Sequence, residues 1–322
     1  MCYIGVDIGG TKCSVSLGER SDIDMKIFDK CQFHTMPDNP EEILHRFTTE
    51  INSLLQKNHL SNKDVAGIGI SCGGPLDSRK GVILSPPNLS GWDNIHIVDY
   101  FTSKFNVKTY LHNDANACAI AEWKFGAGKG YNNLIFITFG TGLGSGMVLA
   151  GRLYTGTNDM AGEIGHIRLT KDGPDGYKKN GSMEGYCSGG GIKKIGIMML
   201  KERNEEYKDS KLYIYENNPE EINAKIIADF ADDGDDLCKE IYRISGRKLG
   251  QGLSILIDII NPEIIIIGSV FTRSYHLLWD SARSIIENET LKRSWDVCNI
   301  VKSQLGDDVG DYAALSVAMG EF

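Results

Sequence analysis

The sequence predicts an α/β protein built from two lobes. Its first half alternates short apolar strands with helix-like segments, an order typical of α/β folds. Its length of 322 residues exceeds what one hydrophobic core usually covers. Two similar strand–turn–strand stretches, DIGGT and FGTGLG, indicate one motif used twice. Because no Ser/Gly-rich linker separates the halves, we expect two lobes that share a cleft.

Apolar patterns predict the elements of the first half. Residues 2–7 are an apolar run that stops at a glycine turn, and residues 14–17 continue as a second strand. Residues 41–56 carry apolar side chains at helical spacing. The remaining predicted elements are an alanine-rich helix at 114–126 and strands at 65–71, 108–111, 134–138 and 146–149.

The second half is predicted to be mostly helical. Helices are expected at 191–200, 219–232, 236–260, 275–287 and 311–319, with strands at 263–267 and 297–301. Pro262 ends the pattern of the long helix. Residues 203–220 are polar and poorly periodic, which indicates a surface insertion. We predict an N-terminal lobe at 1–115, on which a final helix at 305–322 packs back, and a larger C-terminal lobe at 116–304.

Composition excludes several classes of protein. The net charge of −9 argues against a nucleic-acid partner, because phosphate binding needs clustered Lys and Arg. The eight cysteines are scattered without a CxxC pair, which is typical of reduced thiols. The sequence opens on a strand with no secretory leader, and no apolar run is long enough to cross a bilayer. We therefore expect a cytoplasmic protein without a membrane partner.

The first glycine turn, Asp7-Ile8-Gly9-Gly10-Thr11-Lys12, is a candidate phosphate site. Glycines expose backbone N–H groups with no Cβ in the way, and such a nest suits an anionic phosphoryl group. Thr11 adds a hydroxyl and Lys12 a charge, while Asp7 would orient Mg²⁺ through water. A plain hairpin with glycines for turn geometry is the alternative reading. The P-loop pattern GxxxxGK[ST] is absent.

A second glycine turn contains Gly140, Thr141, Gly142 and Gly144. It is not a Rossmann fingerprint, because a strand pattern follows the glycines where that motif requires a helix. Two glycine hairpins that face each other across a cleft would hold a triphosphate from both sides. The two turns together are therefore a more specific sign of a triphosphate site than either turn alone.

Asp114 is the candidate general base. It lies at the predicted start of a helix, so a simple N-cap is the alternative role. The neighbouring Asn113 and Asn116 favour a hydroxyl-binding pocket, because a cap needs only one such side chain. As a base, Asp114 would take the proton from a substrate hydroxyl while that oxygen attacks the γ-phosphorus.

Glu163, His166 and Glu184 are candidate contacts for sugar hydroxyls. All three lie in a glycine-rich segment and together offer hydrogen-bond acceptors and a donor. A lone histidine is more often a structural residue that makes its hydrogen bonds within the protein, which is the alternative role of His166. Polar groups that pair with substrate hydroxyls give sharp selectivity.

These residues lie in stretches that resemble the ROK family of bacterial sugar kinases, open reading frames and repressors. The resemblance covers nearly the whole chain, and residues 134–166 are similar to the family signature. The stretches that carry it are DIGGTK, SCGGP, LHNDANACAIAE, FGTGLGSGMVLAGRLYTGTNDMAGEIGH, EGYCSGG and NPEIIIIG.

The resemblance implies an actin-like ATPase fold and ATP- and Mg²⁺-dependent transfer to a hexose, usually at O6. Asp114 takes the position of the catalytic base. Sugar-contact positions fall on Gly74, Asn88, Asn113, Asp114, Glu163, His166 and Glu184. Phosphate-loop positions fall on Gly9, Gly10, Thr11, Lys12, Gly140, Thr141, Gly142 and Gly144. Gly268 and Ser269 take the position beside the adenosine.

The chain departs from the family at one point. Many members have a CxCGxxGCxE segment whose three cysteines bind structural zinc together with the histidine that corresponds to His166. Here the cysteine positions hold Asp175, Tyr177 and Ser182. A four-coordinate Cys/His zinc site cannot be built from these side chains. We predict no zinc and expect packing or hydrogen bonds to hold the loop.

The leading interpretation is a sugar kinase, and a sugar-responsive repressor is the alternative from another class. Repressors of this family carry an N-terminal DNA-binding domain, for which a DIGGT motif beginning at Asp7 is expected to leave no room. Glucose is the default substrate; N-acetylmannosamine, N-acetylglucosamine, another hexose or a β-glucoside remain alternatives. Because the family forms dimers and tetramers, a homodimer or a homotetramer is expected without a choice between them.

Overall fold

A computed structural model describes residues 1–21, 24–36, 38–202 and 205–322. The chain divides into two compact units. Unit 1 consists of Met1–Phe136, Gly146–Ala161 and Gln304–Phe322, and unit 2 of Ile137–Ser145 and Gly162–Ser303. The chain thus enters each unit more than once.

Two five-stranded sheets share one strand order, which agrees with the expectation of a repeated motif. The first sheet runs β3-β2-β1-β4-β7 and the second β10-β9-β8-β13-β14. In the first, β1 to β3 are antiparallel neighbours, and β4 and β7 then run parallel to β1. In the second, β10 is antiparallel to β9, and β13 is parallel to β14.

The strands are β1 (Cys2–Ile8), β2 (Lys12–Arg20), β3 (Met25–His34), β4 (Val65–Cys72), β5 (Leu76–Asp77), β6 (Val82–Ile83), β7 (Thr109–Asn113), β8 (Leu134–Phe139), β9 (Leu143–Leu149), β10 (Arg152–Tyr154), β11 (Asp175–Gly176), β12 (Lys179–Asn180), β13 (Ile264–Ser269) and β14 (Asn299–Lys302). The helices are α1 (Pro40–Lys57), α2 (Ile97–Phe105), α3 (Asp114–Phe125), α4 (Met183–Tyr186), α5 (Gly189–Glu202), α6 (Ala224–Asp232), α7 (Asp236–Ile260), α8 (Val270–Arg273), α9 (Tyr275–Glu289), α10 (Lys292–Trp295) and α11 (Val309–Ala318).

The predicted helix at 219–232 is wrong at its start. Residues Pro219–Glu221 form a separate 3₁₀ turn, and Asn223 caps α6 by accepting a hydrogen bond from the Ile226 N–H. The cap starts a new helix there, so the two segments cannot be one. Of the predicted polar insertion at 203–220, the first two residues lie outside the described residues, and the rest forms short 3₁₀ turns.

The C-terminal helix α11 packs on the first sheet through glycines. A Cβ on Gly69 would lie 2.1 Å from the Ala314 carbonyl oxygen and 2.2 Å from the Ala318 nitrogen. A Cβ on Gly67 would lie 2.1 Å from the Ala318 carbonyl oxygen. Glycine at these strand positions therefore lets the backbone of α11 approach β4 directly.

None of the helices in the described part of the chain is long and apolar enough to cross a membrane.

Gly69→Ala is expected to destabilise the protein by about 3 kcal/mol, because the new methyl group meets backbone atoms that cannot rotate away. Chemical denaturation of both proteins would measure the loss. Gly73→Ala is the matched control, since a Cβ there would meet no described atom within 4 Å. Equal stability of the two variants would contradict the close packing of α11.

Candidate active site

Three loops of unit 1 leave the first sheet at one edge. Strands β1, β4 and β7 are parallel, and their last residues Ile8, Cys72 and Asn113 stand in register. The chain continues from them into the first glycine turn, into the segment that carries Gly74, and into α3. Ligands of α/β proteins commonly bind at such carboxyl ends. The predicted base, the first phosphate loop and Gly74 are thus brought to the same edge.

Asp114 is the first residue of α3, and Asn113 is its cap. The Asn113 side-chain oxygen accepts from the Asn116 N–H at 2.7 Å, so the capping role belongs to Asn113. One Asp114 carboxylate oxygen accepts from the Ala115 N–H at 2.8 Å, which orients the group. The Asp114 side chain is exposed, so a substrate hydroxyl can reach it.

The environment of Asp114 suits a proton acceptor. Protein around the carboxyl partly removes it from water and raises its pKa, while backbone hydrogen bonds oppose the rise. Because the side chain keeps solvent-exposed area, water still solvates the charge, and the shift is smaller than full burial would cause. A carboxylate with a raised pKa is a stronger base than an ordinary aspartate.

The first glycine loop packs against the segment that carries Asn88. A Cβ on Gly10 would lie 2.9 Å from the Asn88 Cβ and 3.0 Å from its carbonyl oxygen. The Gly9 N–H donates to the Lys12 carbonyl at 3.1 Å, and the Thr35 hydroxyl donates to the Gly9 carbonyl at 2.7 Å. The predicted phosphate loop and one predicted sugar contact are therefore neighbours within unit 1.

Asp7 lies half-buried at the end of β1, beside other acidic groups. Burial raises the pKa of its carboxyl to about 7, and repulsion from Asp114 and Asp311 adds to the rise, while a hydrogen bond from the Ser71 hydroxyl opposes it. Ser14 and Lys30 donate to the Asp311 carboxylate at 3.4 and 3.0 Å. A hard divalent cation bound through water would relieve this repulsion, so the oxygen donors fit the predicted Mg²⁺ role of Asp7.

Asp7→Asn is expected to stabilise the ligand-free protein at pH 8 by roughly 2 kcal/mol, because the amide carries no buried charge. The native pKa of Asp7 lies above its unfolded value, so the destabilisation by the charge is complete above about pH 7. It shrinks as the pH falls from 7 to 4 and vanishes below the unfolded pKa. Denaturant titrations at pH 8 and pH 4.5 without Mg²⁺ would test this. Lower stability of the variant at pH 8 would contradict it.

The second glycine loop, in unit 2, is fixed from two sides. The N–H groups of Gly189 and Gly190, at the start of α5, donate to the carbonyls of Gly140 and Thr141 at 2.7 and 3.2 Å. On the other side, Glu184 Oε2 accepts from the N–H of Leu143 at 3.0 Å. The carbonyl oxygens of Gly140 and Thr141 thus point toward α5. The bonds on both sides fix the conformation of the loop before a ligand binds.

Predicted nucleotide and sugar contacts flank this second loop. A Cβ on Gly140 would lie 3.8 Å from the Ser269 hydroxyl, next to Gly268 at the end of β13. A Cβ on Gly142 would lie 2.8 Å from Glu184 Oε2. Unit 2 therefore brings together the predicted adenosine-side pair, the predicted phosphate loop and one predicted sugar contact.

The other two predicted sugar contacts lie around a short 3₁₀ turn. Glu163 directly precedes the turn Ile164–His166, and both Glu163 and His166 are exposed. A Cβ on Gly165 would lie 2.5 Å from the Leu143 carbonyl oxygen and 3.3 Å from the Glu184 Cβ. The glycine thus lets the turn lie directly against the second loop and Glu184.

The side chains at the zinc positions are engaged elsewhere. The Asp175 carboxylate pairs with Lys194 at 2.9 Å, and the buried Ser182 hydroxyl accepts from the Gly185 N–H at 3.1 Å. Tyr177 is exposed, with its ring 6.3 Å from the His166 ring. In the described residues no three His, Cys, Asp or Glu side chains are grouped to hold a metal. The residues present do not fit a structural zinc ion.

Sequence reasoning missed the groups around Asp7. Asp311 is 297 positions from Ser14, which donates to it, and no local pattern connects the two. Ser71 could have been found, because it faces Asp7 across the predicted neighbouring strand. The support of the second loop by α5 was also missed, although the run Ser188-Gly189-Gly190 was a visible sign of a close approach.

Comparison with known proteins adds to this geometry. A ROK family profile matches residues 3–320. The chain is 31% identical to a glucokinase of Thermotoga maritima over 316 residues, which cover 98% of this chain and 96% of that protein. It is also 27% identical to a xylose repressor of Caldicellulosiruptor bescii, covering 94% of this chain and 74% of the repressor.

A solved structure shows the same fold. The crystal structure of a ROK family glucokinase from Streptomyces griseus in complex with glucose and AMPPNP matches with a TM-score of 0.79 and 27% identity. The match covers 99% of this chain and 100% of that one. The predicted actin-like ATPase fold is therefore confirmed.

Proposed function

Because this chain belongs to the ROK family, we propose that it transfers the γ-phosphoryl group of ATP to the 6-hydroxyl of a hexose. The observation that carries the proposal is the Asp114 carboxylate, which is exposed, oriented by the Ala115 N–H and relieved of the capping role by Asn113. An exposed and oriented carboxylate of this kind is suited to accept a proton from a substrate hydroxyl.

In the proposed reaction Asp114 accepts the proton of the sugar hydroxyl as that oxygen attacks the γ-phosphorus. Phosphoryl transfer depends mainly on positioning and on stabilising negative charge, so one base and well-placed donors suffice. The backbone of Gly9–Lys12 and of Gly140–Gly144 would contact the phosphates, and Gly268 and Ser269 the adenosine. Mg²⁺, oriented by Asp7 through water, would neutralise charge on the phosphates.

The sugar would be recognised through its hydroxyls. Glu163, His166 and Glu184 would bind ring hydroxyls, and Asn113 would add an amide. Gly74 and Asn88 would limit the space beside the sugar, since both are exposed on loops at the edge that carries Asp114. A sugar that lacks one of these hydroxyls would leave the matching polar group unpaired, and the site would therefore discriminate strongly against it.

Glucose is the first substrate to test, because the relatives that support the proposal are glucokinases and one was solved with glucose and AMPPNP. N-acetylmannosamine, N-acetylglucosamine, other hexoses and a β-glucoside are the alternatives. The likeness to a xylose repressor supports a second candidate, a sugar-responsive regulator that binds its sugar without turnover.

The deciding experiment measures ADP formation from ATP and Mg²⁺ across a panel of these sugars and xylose. Sugar binding is measured in parallel by calorimetry. We expect sugar-dependent ADP formation and a product that glucose-6-phosphate dehydrogenase oxidises. Tight sugar binding without ADP formation would overturn the kinase in favour of the regulator.

A further inference from the structure

The hairpin β11–β12 occupies the place of the zinc loop, and two lysines attach it to its surroundings. Lys194, on α5, donates to both the carbonyl oxygen and the carboxylate of Asp175, at 2.7 and 2.9 Å. Lys179, on β12, donates to the His166 carbonyl at 2.6 Å. One lysine thus joins the hairpin to the helix behind it, and the other joins it to the turn that carries His166.

Ser182 takes the position of the third zinc-binding cysteine, and it makes hydrogen bonds of its own. Ser182 is fully buried, and its hydroxyl donates to the Gly176 carbonyl at 3.4 Å while it accepts from the Gly185 N–H at 3.1 Å. It caps α4, whose first turn contains Glu184. The hairpin is therefore bonded on one side to His166 and on the other to the helix that carries Glu184.

Helix α5 connects these bonds to the second glycine loop. Its first N–H groups, from Gly189 and Gly190, hold the loop carbonyls, and Lys194 extends from the same helix to Asp175. The ammonium group of Lys194 also lowers the pKa of Asp175, which keeps that carboxylate charged. A single rigid element thus supports both the hairpin and the loop.

We propose that Lys179 and Lys194 are positioning residues that hold His166 and Glu184 in place for the sugar. They direct positive charge at oxygen atoms of this segment, where relatives with three cysteines use a zinc ion. The inference rests on the proposed function, because it concerns the sugar side of the same site. A single exposed ion pair contributes little to stability, so the test removes both lysines at once.

The test is the double variant Lys179→Met/Lys194→Met. We expect the KM for the hexose to rise about tenfold with kcat within about twofold of wild type, because hydrogen bonds that orient this substrate are lost. The KM for ATP should rise less, since Glu184 also accepts from the Leu143 N–H in the second glycine loop. Lys179→Met/Lys194→Arg is expected to restore most of the affinity. An unchanged KM for the hexose would overturn the proposal.

Lys193→Met is the matched control. Lys193 precedes Lys194 on α5 and makes the same pair of bonds, to the carbonyl oxygen and carboxylate of Glu220 at 2.7 and 3.0 Å. Its partner lies outside the hairpin, so the kinetics of this variant should match wild type. An equal rise in the KM for the hexose would mean a general effect of α5 and would count against the proposal.

Two further measurements do not require kinase activity. Hydrogen–deuterium exchange of residues 167–184 should be faster in the double variant than in Lys193→Met; equal exchange would overturn the proposal even if no sugar is phosphorylated. Faster exchange with an inactive wild type would remove the proposed function and leave the lysines as the supports of the hairpin. Release of one equivalent of zinc from purified, denatured wild type would also overturn it.

Discussion

Asp114→Asn is expected to lower kcat about a thousandfold, because a general base contributes roughly 10² to 10⁴ to such reactions and an amide cannot accept the proton. The KM for the hexose should change less than tenfold, since the amide keeps an oxygen and can still hydrogen-bond the substrate. The folded structure should persist, because the cap of α3 is the Asn113 side chain. Steady-state kinetics with the best sugar would measure the loss.

The control is Asp236→Asn. Asp236 is the first residue of α7 and follows a capping aspartate, just as Asp114 is the first residue of α3 and follows a capping asparagine. Both substitutions change a first-turn carboxylate to an amide and leave the capping side chain of the preceding residue in place, so both variants should fold. Only the Asp114 variant should lose activity. Activity that survives Asp114→Asn would contradict the assignment of the base.

The helical part of the fold could be predicted where one face is steadily apolar. The predicted helix at 236–260 coincides with α7, because its apolar residues keep their period up to Asn261, which ends the helix in a left-handed conformation. The nine-residue helix α2 was missed, because its buried residues, Ile97, Phe101 and Phe105, give only two turns of evidence. Strand β3 was missed because polar residues fill its partly exposed face.

The candidate site was predictable where glycines and carboxylates cluster in the sequence. Both glycine turns and Asp114 fall where strands of the two sheets end, as their local patterns indicated. The groups that tune these residues come from distant parts of the chain. Asp311 approaches Asp7 only because α11 packs on β1 and β4, and Lys194 reaches Asp175 only because α5 returns beside the hairpin. Such contacts are set by tertiary packing, which a single sequence does not reveal.

Glu184→Ala is expected to raise the KM for the hexose about 10- to 100-fold, since a hydrogen bond to a charged group contributes roughly 1.5–3 kcal/mol. It should also raise the KM for ATP, because the Leu143 N–H in the second glycine loop loses its acceptor. The carboxylate of Glu184 thus has two roles, the proposed sugar contact and the hydrogen bond to the second glycine loop. Steady-state kinetics with each substrate varied in turn would separate the two effects.

Glu184→Gln distinguishes the two roles. The amide oxygen of glutamine can still accept from the Leu143 N–H, so the KM for ATP should stay within about twofold of wild type, whereas loss of the charge weakens the bonds to sugar hydroxyls. Alanine should therefore impair both substrates and glutamine mainly the sugar. If both variants left the KM for ATP unchanged, the Leu143 bond would not be needed to form the phosphate loop, and the helix α5 contacts alone would have to hold it.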